Sequence, residues 1–198
     1  MAQASSVATT PSRPGPGREV RDMLDVQVVG VWNVLRAAPP ILREQRGGHI
    51  VNVSSILGLT AVPGWALHCA GKFALEGLSE ALAAEVADFG VTVTIVEPGY
   101  FRTEFLTEHS LALPAETTAH YPAIREMTLD HLELQGSQLG DPVKGAGAII
   151  GRVLAGEGPL RQLLGSDAYS YATAKVEALR ANVEATALSA PATDFPAA

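Results

Sequence analysis

A single cysteine, Cys69, in 198 residues excludes an intramolecular disulfide framework and suits a reducing compartment, so a cytoplasmic location is expected. Basic residues are scarce too: 14 Lys and Arg stand against 21 Asp and Glu, a formal net charge of −7. They form no run or stripe, which removes the electrostatic footprint of a nucleic-acid binder. The acidic balance also argues against docking on an anionic membrane. No apolar stretch reaches the length that crosses a bilayer. The opening segment lacks the apolar centre of a secretion signal. It is small, polar and rich in Pro and Gly, and residues 1–18 are expected to be a disordered arm. His109, His120 and His131 recur eleven apart, a spacing of no metal pattern, so no metal site is expected and these read as surface histidines.

What is present is a globular composition, with 47% hydrophobic and 18% charged residues. From Val20 to Arg46 the apolar residues Met23, Val26, Val29, Trp32 and Leu35 fall at helical spacing, and Pro39-Pro40 should kink or interrupt the last turns. Gly47-Gly48 break the chain before a β-branched strand over His49–Ser54. A helix is predicted over Ala66–Asp88, stopped at Gly90, then a strand over Val91–Val96 closed by Pro98-Gly99. The strand–helix–strand order implies parallel pairing through a right-handed crossover. Residues 103–140 show weak periodicity and read as a substrate lid with short helices. Asp141-Pro142 opens a helix to about Ala155 as N-cap and first-turn proline. Leu160–Leu164 reads as a third strand, and Ser166 as the cap of a final helix to about Leu188. Residues 19–189 are thus expected to form one α/β domain of about three parallel strands flanked by helices, and residues 190–198 a flexible tail.

The sharpest signal is the run His49-Ile-Val-Asn-Val-Ser-Ser-Ile-Leu-Gly58, then His68-Cys-Ala-Gly-Lys72, then Val96-Glu-Pro-Gly-Tyr-Phe-Arg-Thr103. In these motifs, and in their order, the chain closely resembles the short-chain dehydrogenase/reductase family over about Val20 to Leu188. The resemblance implies a Rossmann-like fold, here truncated, and NAD- or NADP-dependent hydride transfer between a nicotinamide and a small carbonyl or alcohol. It places the substrate-holding serine on Ser55, thirteen residues before position 68. Lys72 takes the role of the lysine that binds the nicotinamide ribose and lowers the pKa of its neighbour. Pro98, Gly99 and Thr103 match the nicotinamide-carboxamide loop. Trp65, Tyr100 and Tyr121 are expected to wall the substrate pocket, Cys69 to be a small buried side chain, and Glu97 is left with no role.

Three departures stand against that pattern. The family's proton-donating tyrosine is replaced by His68, whose imidazole is poised for acid–base work but is shorter than a phenol, and a misplacement of about 1 Å can cost on the order of 100-fold in rate. The family's helical asparagine is replaced by Gln27, in Gln27-Val-Val-Gly30, one methylene longer. Nothing in these residues matches the family's glycine-rich turn, which cradles the pyrophosphate at a helix N-terminus, since Gly15-Pro16-Gly17 has the wrong spacing and follows no strand. Oxidoreduction by this chain alone is therefore expected to be impaired. Two other readings remain: a cofactor-independent dehydratase or isomerase using His68, Lys72 and Ser55, and a non-catalytic partner. Because the strand at Ile50–Val53 would lack a neighbour, a homo-oligomer or a partner chain covering the sheet edge is expected.

Overall fold

The computed structural model describes residues 16–107, 110 and 120–195. His109, Ser5–Thr10 and most of the expected arm lie outside them. The first helix, α1, spans Pro16–Leu24, so it starts within the stretch expected to be a disordered arm. It runs into a π-helical turn at Asp25–Gly30 and then α2, Val31–Gln45. The single long helix read from the sequence is therefore three segments, with one wide turn around Gln27. Such a turn inserts a residue into the helical ladder and turns a side chain inward that regular winding would place elsewhere. Pro39 and Pro40 do not interrupt α2, which continues to Gln45. It stops instead at Arg46, whose left-handed φ of 56° ends the winding.

Strand β1 (Gly48–Val53) pairs in parallel with β2 (Val91–Pro98), which pairs in parallel with β3 (Arg161–Leu164), in the order β1-β2-β3. The register runs from Gly48 opposite Val91 to Val53 opposite Val96, and from Ile95 opposite Arg161 to Pro98 opposite Leu164. This is the α/β, Rossmann-like parallel sheet of about three strands that the sequence implied. β2 is the central strand and is buried on both faces, with Thr94, Ile95, Val96 and Glu97 all fully inaccessible. That explains why it reads as a continuous β-branched run rather than an alternating one. β1 and β3 are the two edges of this sheet among the described residues, and Val53 on β1 is half exposed.

Helix α3 (Ala66–Val86) turns His68, Cys69, Leu75, Glu76, Ser79, Leu82 and Val86 inward, at the three- and four-residue spacing of one helical face. A short 3₁₀ turn, Ala87–Phe89, and a left-handed Gly90 then return the chain to β2. The lower core joins Leu82 and Val86 of α3 to Leu35 of α2 and to Val91 and Val93 of β2. Within residues 103–140 lies a 12-residue helix, α4 (Pro122–Glu133). Helix α5 (Pro142–Ala155) has the expected cap: Asp141 Oδ1 accepts from the amides of Val143 at 2.9 Å and Lys144 at 3.2 Å. The last helix, α6, spans Ser166–Ala185, but Ser166 does not cap it. The N-cap is Gly165, at a φ of 105° that strains any residue with a side chain. A 3₁₀ turn follows at Pro191–Thr193, inside the expected tail. No described helix is long and apolar enough to cross a membrane.

Candidate functional site

The C-terminal ends of the three strands, at Val53, Pro98 and Leu164, open on a cavity of about 430 Å³. In open parallel sheets this is the end at which ligands bind. Ser55, His68, Lys72 and Gln27 all line it, as do Pro98, Gly99 and Thr103. These seven residues therefore face one space, although they come from the π turn, the turn after β1, α3, and the end of β2 with the loop that follows it.

Ser55 is extended, with φ −165°, and heads a 3₁₀ turn at Ile56–Gly58. Its Oγ accepts from the Leu57 amide at 3.1 Å, which leaves the hydroxyl proton free to donate into the cavity. Its neighbour Ser54 is buried, and Ser54 Oγ has no partner. Thr103 plays the matching part across the cavity: its Oγ1 accepts from the Phe105 amide at 3.3 Å and heads the turn Glu104–Leu106. The Pro98-Gly99 turn is fixed from α6. Gly99 donates to the Leu164 carbonyl at 2.9 Å, and the Tyr100 amide donates to Asp167 Oδ2 at 2.6 Å. A side chain on Gly99 would collide with that Asp167 carboxylate, which is why the turn needs glycine there.

His68 and Lys72 lie one helical turn apart on α3. The Lys72 ammonium donates to the Val53 carbonyl at 3.1 Å. Burial lowers its pKa, with the Glu76 carboxylate working the other way. His68 is only 3% exposed and its Nδ1 has no partner. Burial, reinforced by the Lys72 charge, holds its pKa down at about 4. The ring is therefore neutral at physiological pH, as a base or hydrogen-bonding group and not as an imidazolium donor. The Trp65 indole meets it edge-on at 5.8 Å, and the Phe105 ring lies 5.9 Å away. Gln27 reaches the cavity through the π turn and packs on Gly71, where any side chain would strike its amide oxygen. That oxygen is buried and unpartnered.

The sequence reading missed two groupings. His131 is not a surface residue: it is 8% exposed and lines the cavity. Its Nε2 is 2.7 Å from Tyr100 Oη and its Nδ1 is 2.6 Å from the Met127 carbonyl. The other is Glu97, which is fully buried beside Glu76 and Arg161. Neither had a local signal, because Tyr100 and His131 are 31 residues apart and Glu97 lies 21 from Glu76 and 64 from Arg161. Of the three expected wall residues, Trp65 and Tyr100 line the cavity, while Tyr121 is half exposed and does not. Cys69 is buried as expected. His120, also read as a surface residue, is exposed. Among the described residues no group of His, Cys, Asp and Glu is arranged to hold a metal ion.

Residues 4–113 match the family model described as short chain dehydrogenase. The chain is 35% identical over 161 residues to the oxidoreductase BOA17 of Botryotinia fuckeliana, covering 81% of this chain and 58% of that protein. It is 32% identical over 130 residues to the uncharacterized oxidoreductase YusZ of Bacillus subtilis, covering 64% of this chain and 46% of that one. It thus spans only about half the length of these relatives. Its fold is similar to a crystallised short-chain dehydrogenase of Streptomyces avermitilis, with 37% identity and a TM-score of 0.78 over 90% of this chain and 64% of the other. A Burkholderia cenocepacia short chain dehydrogenase crystallised with NADP shares the fold at a TM-score of 0.57 and 23% identity, over 93% of this chain and 64% of the other. With the family model matching more than half of its residues, and with the motif residues gathered on one cavity at the strand ends, this chain belongs to the short chain dehydrogenase family.

Proposed function

We propose that this chain carries the substrate-binding and nicotinamide-ribose end of an NAD- or NADP-dependent carbonyl/alcohol oxidoreductase, and that its turnover is impaired in isolation. The observation that carries the reading is the convergence of Ser55, Lys72, Gln27 and the Pro98–Thr103 loop on one cavity at the strand ends. The residues present fit that end of a nicotinamide cofactor. Lys72 offers an ammonium at the rim, and the unpartnered Gln27 Oε1 and Ser54 Oγ are polar atoms that a bound group would satisfy. When bound, such a cofactor supplies or accepts a hydride. Ser55 donates to the substrate oxygen, Lys72 holds the ribose hydroxyls, and the Pro98-Gly99 turn and Thr103 receive the carboxamide. The diphosphate finds no glycine-rich turn in these residues, which limits affinity. The test is a fluorescence titration of the purified chain with NADH and NADPH, followed by turnover of simple ketones. The reading expects weak, saturable binding that Lys72→Met abolishes, and an undiminished signal in that variant would overturn it.

A second reading is favoured by the aromatic enclosure of His68, a neutral buried base beside Lys72 and Ser55. It is a cofactor-independent dehydratase or isomerase. Substrate turnover without added nicotinamide distinguishes it. A non-catalytic partner role is favoured by the open edge of β1, through which a second copy or another chain would complete the sheet. The one free thiol, Cys69, supports assignment to the reducing cytoplasm.

A further inference from the structure

His68 occupies the position from which the family's tyrosine gives up its proton, yet it is neutral and buried among aromatic rings. The same cavity holds a phenol to which the family resemblance assigns no proton transfer. Tyr100 Oη lies 2.7 Å from His131 Nε2, and the two rings sit 5.5 Å apart. The far nitrogen of His131, Nδ1, is 2.6 Å from the Met127 carbonyl. A carbonyl only accepts, so Nδ1 carries the hydrogen and the tautomer is fixed. The Trp65 indole packs against this imidazole at 5.1 Å and against His68 at 5.8 Å, so the two histidines flank one indole. Tyr100 itself is held by the hydrogen bond that its backbone N–H donates to Asp167 Oδ2. This is a base-backed phenol whose backing base is oriented in turn by a third group.

We propose that Tyr100, held against His131, is the hydrogen-bond and proton donor to the oxygen of an apolar ketone or secondary alcohol bound in this cavity. The inference rests on the oxidoreductase reading for its chemistry but not for its test. The apolar class follows from the walls: Trp65, Leu106, Leu57 and Val62 form them, and Phe105 leaves 37% of its surface open.

With Nδ1 bonded to Met127, a second proton on His131 goes to Nε2. That N–H then donates to the Tyr100 oxygen and frees the phenol proton to point into the cavity. Hydride addition to a carbonyl carbon leaves an alkoxide. The phenol O–H bond breaks as the new alcohol O–H bond forms, and the Nε2 proton passes to the phenol oxygen. The net transfer is one proton from the imidazolium to the alkoxide, and neither ring is left charged. His131 is thus a positioning residue that acts through Tyr100. Burial, followed by the nearby Tyr171 and Asp167, pushes the Tyr100 pKa up to about 12, so the phenol stays protonated. The groups facing the couple are Asp167 and Tyr171 from α6 and, along the cavity wall, His68 and Lys72 from α3. Asp130 and Glu133 on α4 are exposed.

The test uses the full chain and acetophenone carrying ¹³C at its carbonyl, with no nicotinamide present. The carbonyl signal should move downfield on binding to the unaltered chain and move distinctly less far in Tyr100→Phe, where the Ser55 hydroxyl alone still donates. His131→Phe should lose the same part of the shift, and His131→Gln, whose side-chain N–H can still donate to the phenol oxygen, should restore it, which a merely structural role would not do. Should Tyr100→Phe fail to fold, tyrosine labelled at Cζ in the unaltered chain gives the same answer. One tyrosine signal should respond to acetophenone and stay still with ethylbenzene, which has the ring but no oxygen. A shift that survives undiminished in Tyr100→Phe, or a chain that does not bind acetophenone at millimolar concentration, would overturn the proposal. Absence of any Lys72-dependent binding of NADH or NADPH would overturn the oxidoreductase reading and leave these shifts as they are.

Discussion

Glu97, from the C-terminal end of β2, and Arg161, at the start of β3, lie 3.3 Å apart but are not aligned for a hydrogen bond. Arg161 Nε is directed instead to Glu76 Oε2 at 3.2 Å, and its Nη2 to Glu80 Oε2 at 2.8 Å. One half-exposed guanidinium therefore serves three carboxyl groups, and the fully buried one is served least. Burial, together with the neighbouring Glu76 and against the pull of Arg161, pushes the Glu97 pKa up to about 8.

That carboxyl makes stability fall with rising pH. Its folded pKa lies above the ordinary value of 4.5, so the native state binds more protons than the unfolded one between those limits. The stabilisation is complete below about 4.5 and lost as pH rises through about 8. Thermal unfolding should show Tm declining across this window. Glu97→Gln, which mimics the protonated form, should flatten the decline and raise Tm at pH 8.5. An unchanged slope would show that another group carries it.

His68 acts at the other end of the scale. Its folded pKa of about 4 lies below the ordinary 6.5, so stability is fully present above about 6.5 and is lost as pH falls toward about 4. His68→Phe removes a buried polar atom with no partner, a liability of about 1–3 kcal/mol. It should raise Tm at pH 7 and remove much of the loss between pH 6.5 and 4. A lower Tm at pH 7 would mean that Nδ1 has a partner in solution.

Cofactor affinity follows from what these residues do and do not offer the dinucleotide. With the ribose and carboxamide ends served and the diphosphate not, NADH or NADPH should bind no tighter than about millimolar, roughly −4 kcal/mol. His68→Tyr with Gln27→Asn should leave ketone reduction at background unless the missing strand–turn–helix is supplied. A micromolar dissociation constant by nicotinamide fluorescence, or rescue by those two changes alone, would contradict this.

Association is expected from the open edge of β1 and from a groove of about 800 Å³ between α2 and α3, where Trp32 is 47% and Phe89 40% exposed. Unpaired edges and large apolar patches invite a second chain. Light scattering at micromolar concentration should give a dimer or larger species. A clean 20.7 kDa particle with cooperative thermal unfolding would refute it.

The strands were legible because a buried parallel strand must be β-branched and continuous, as Val91–Val96 is. The end of α3 was legible because Gly90 accepts a left-handed backbone. Ser55, Lys72 and the Pro98-Gly99 turn were legible through fixed spacings along single elements. The π turn at Gln27 was not, because its apolar residues also satisfy a regular helical period. The continuity of α2 through Pro39 and Pro40 was not either, since local propensity alone argues for a break. The sequence by itself determined the fold class and the parallel pairing of its strands, which depend on short-range periodicity, and its family resemblance picked out the motif residues that line the cavity at the strand ends. Only the tertiary structure decided that His131 turns inward onto Tyr100, that Glu97 is buried against Glu76, and that His68 is neutral. Those depend on which distant side chains close over a given atom, and burial and charge there are set by packing, which no local pattern records.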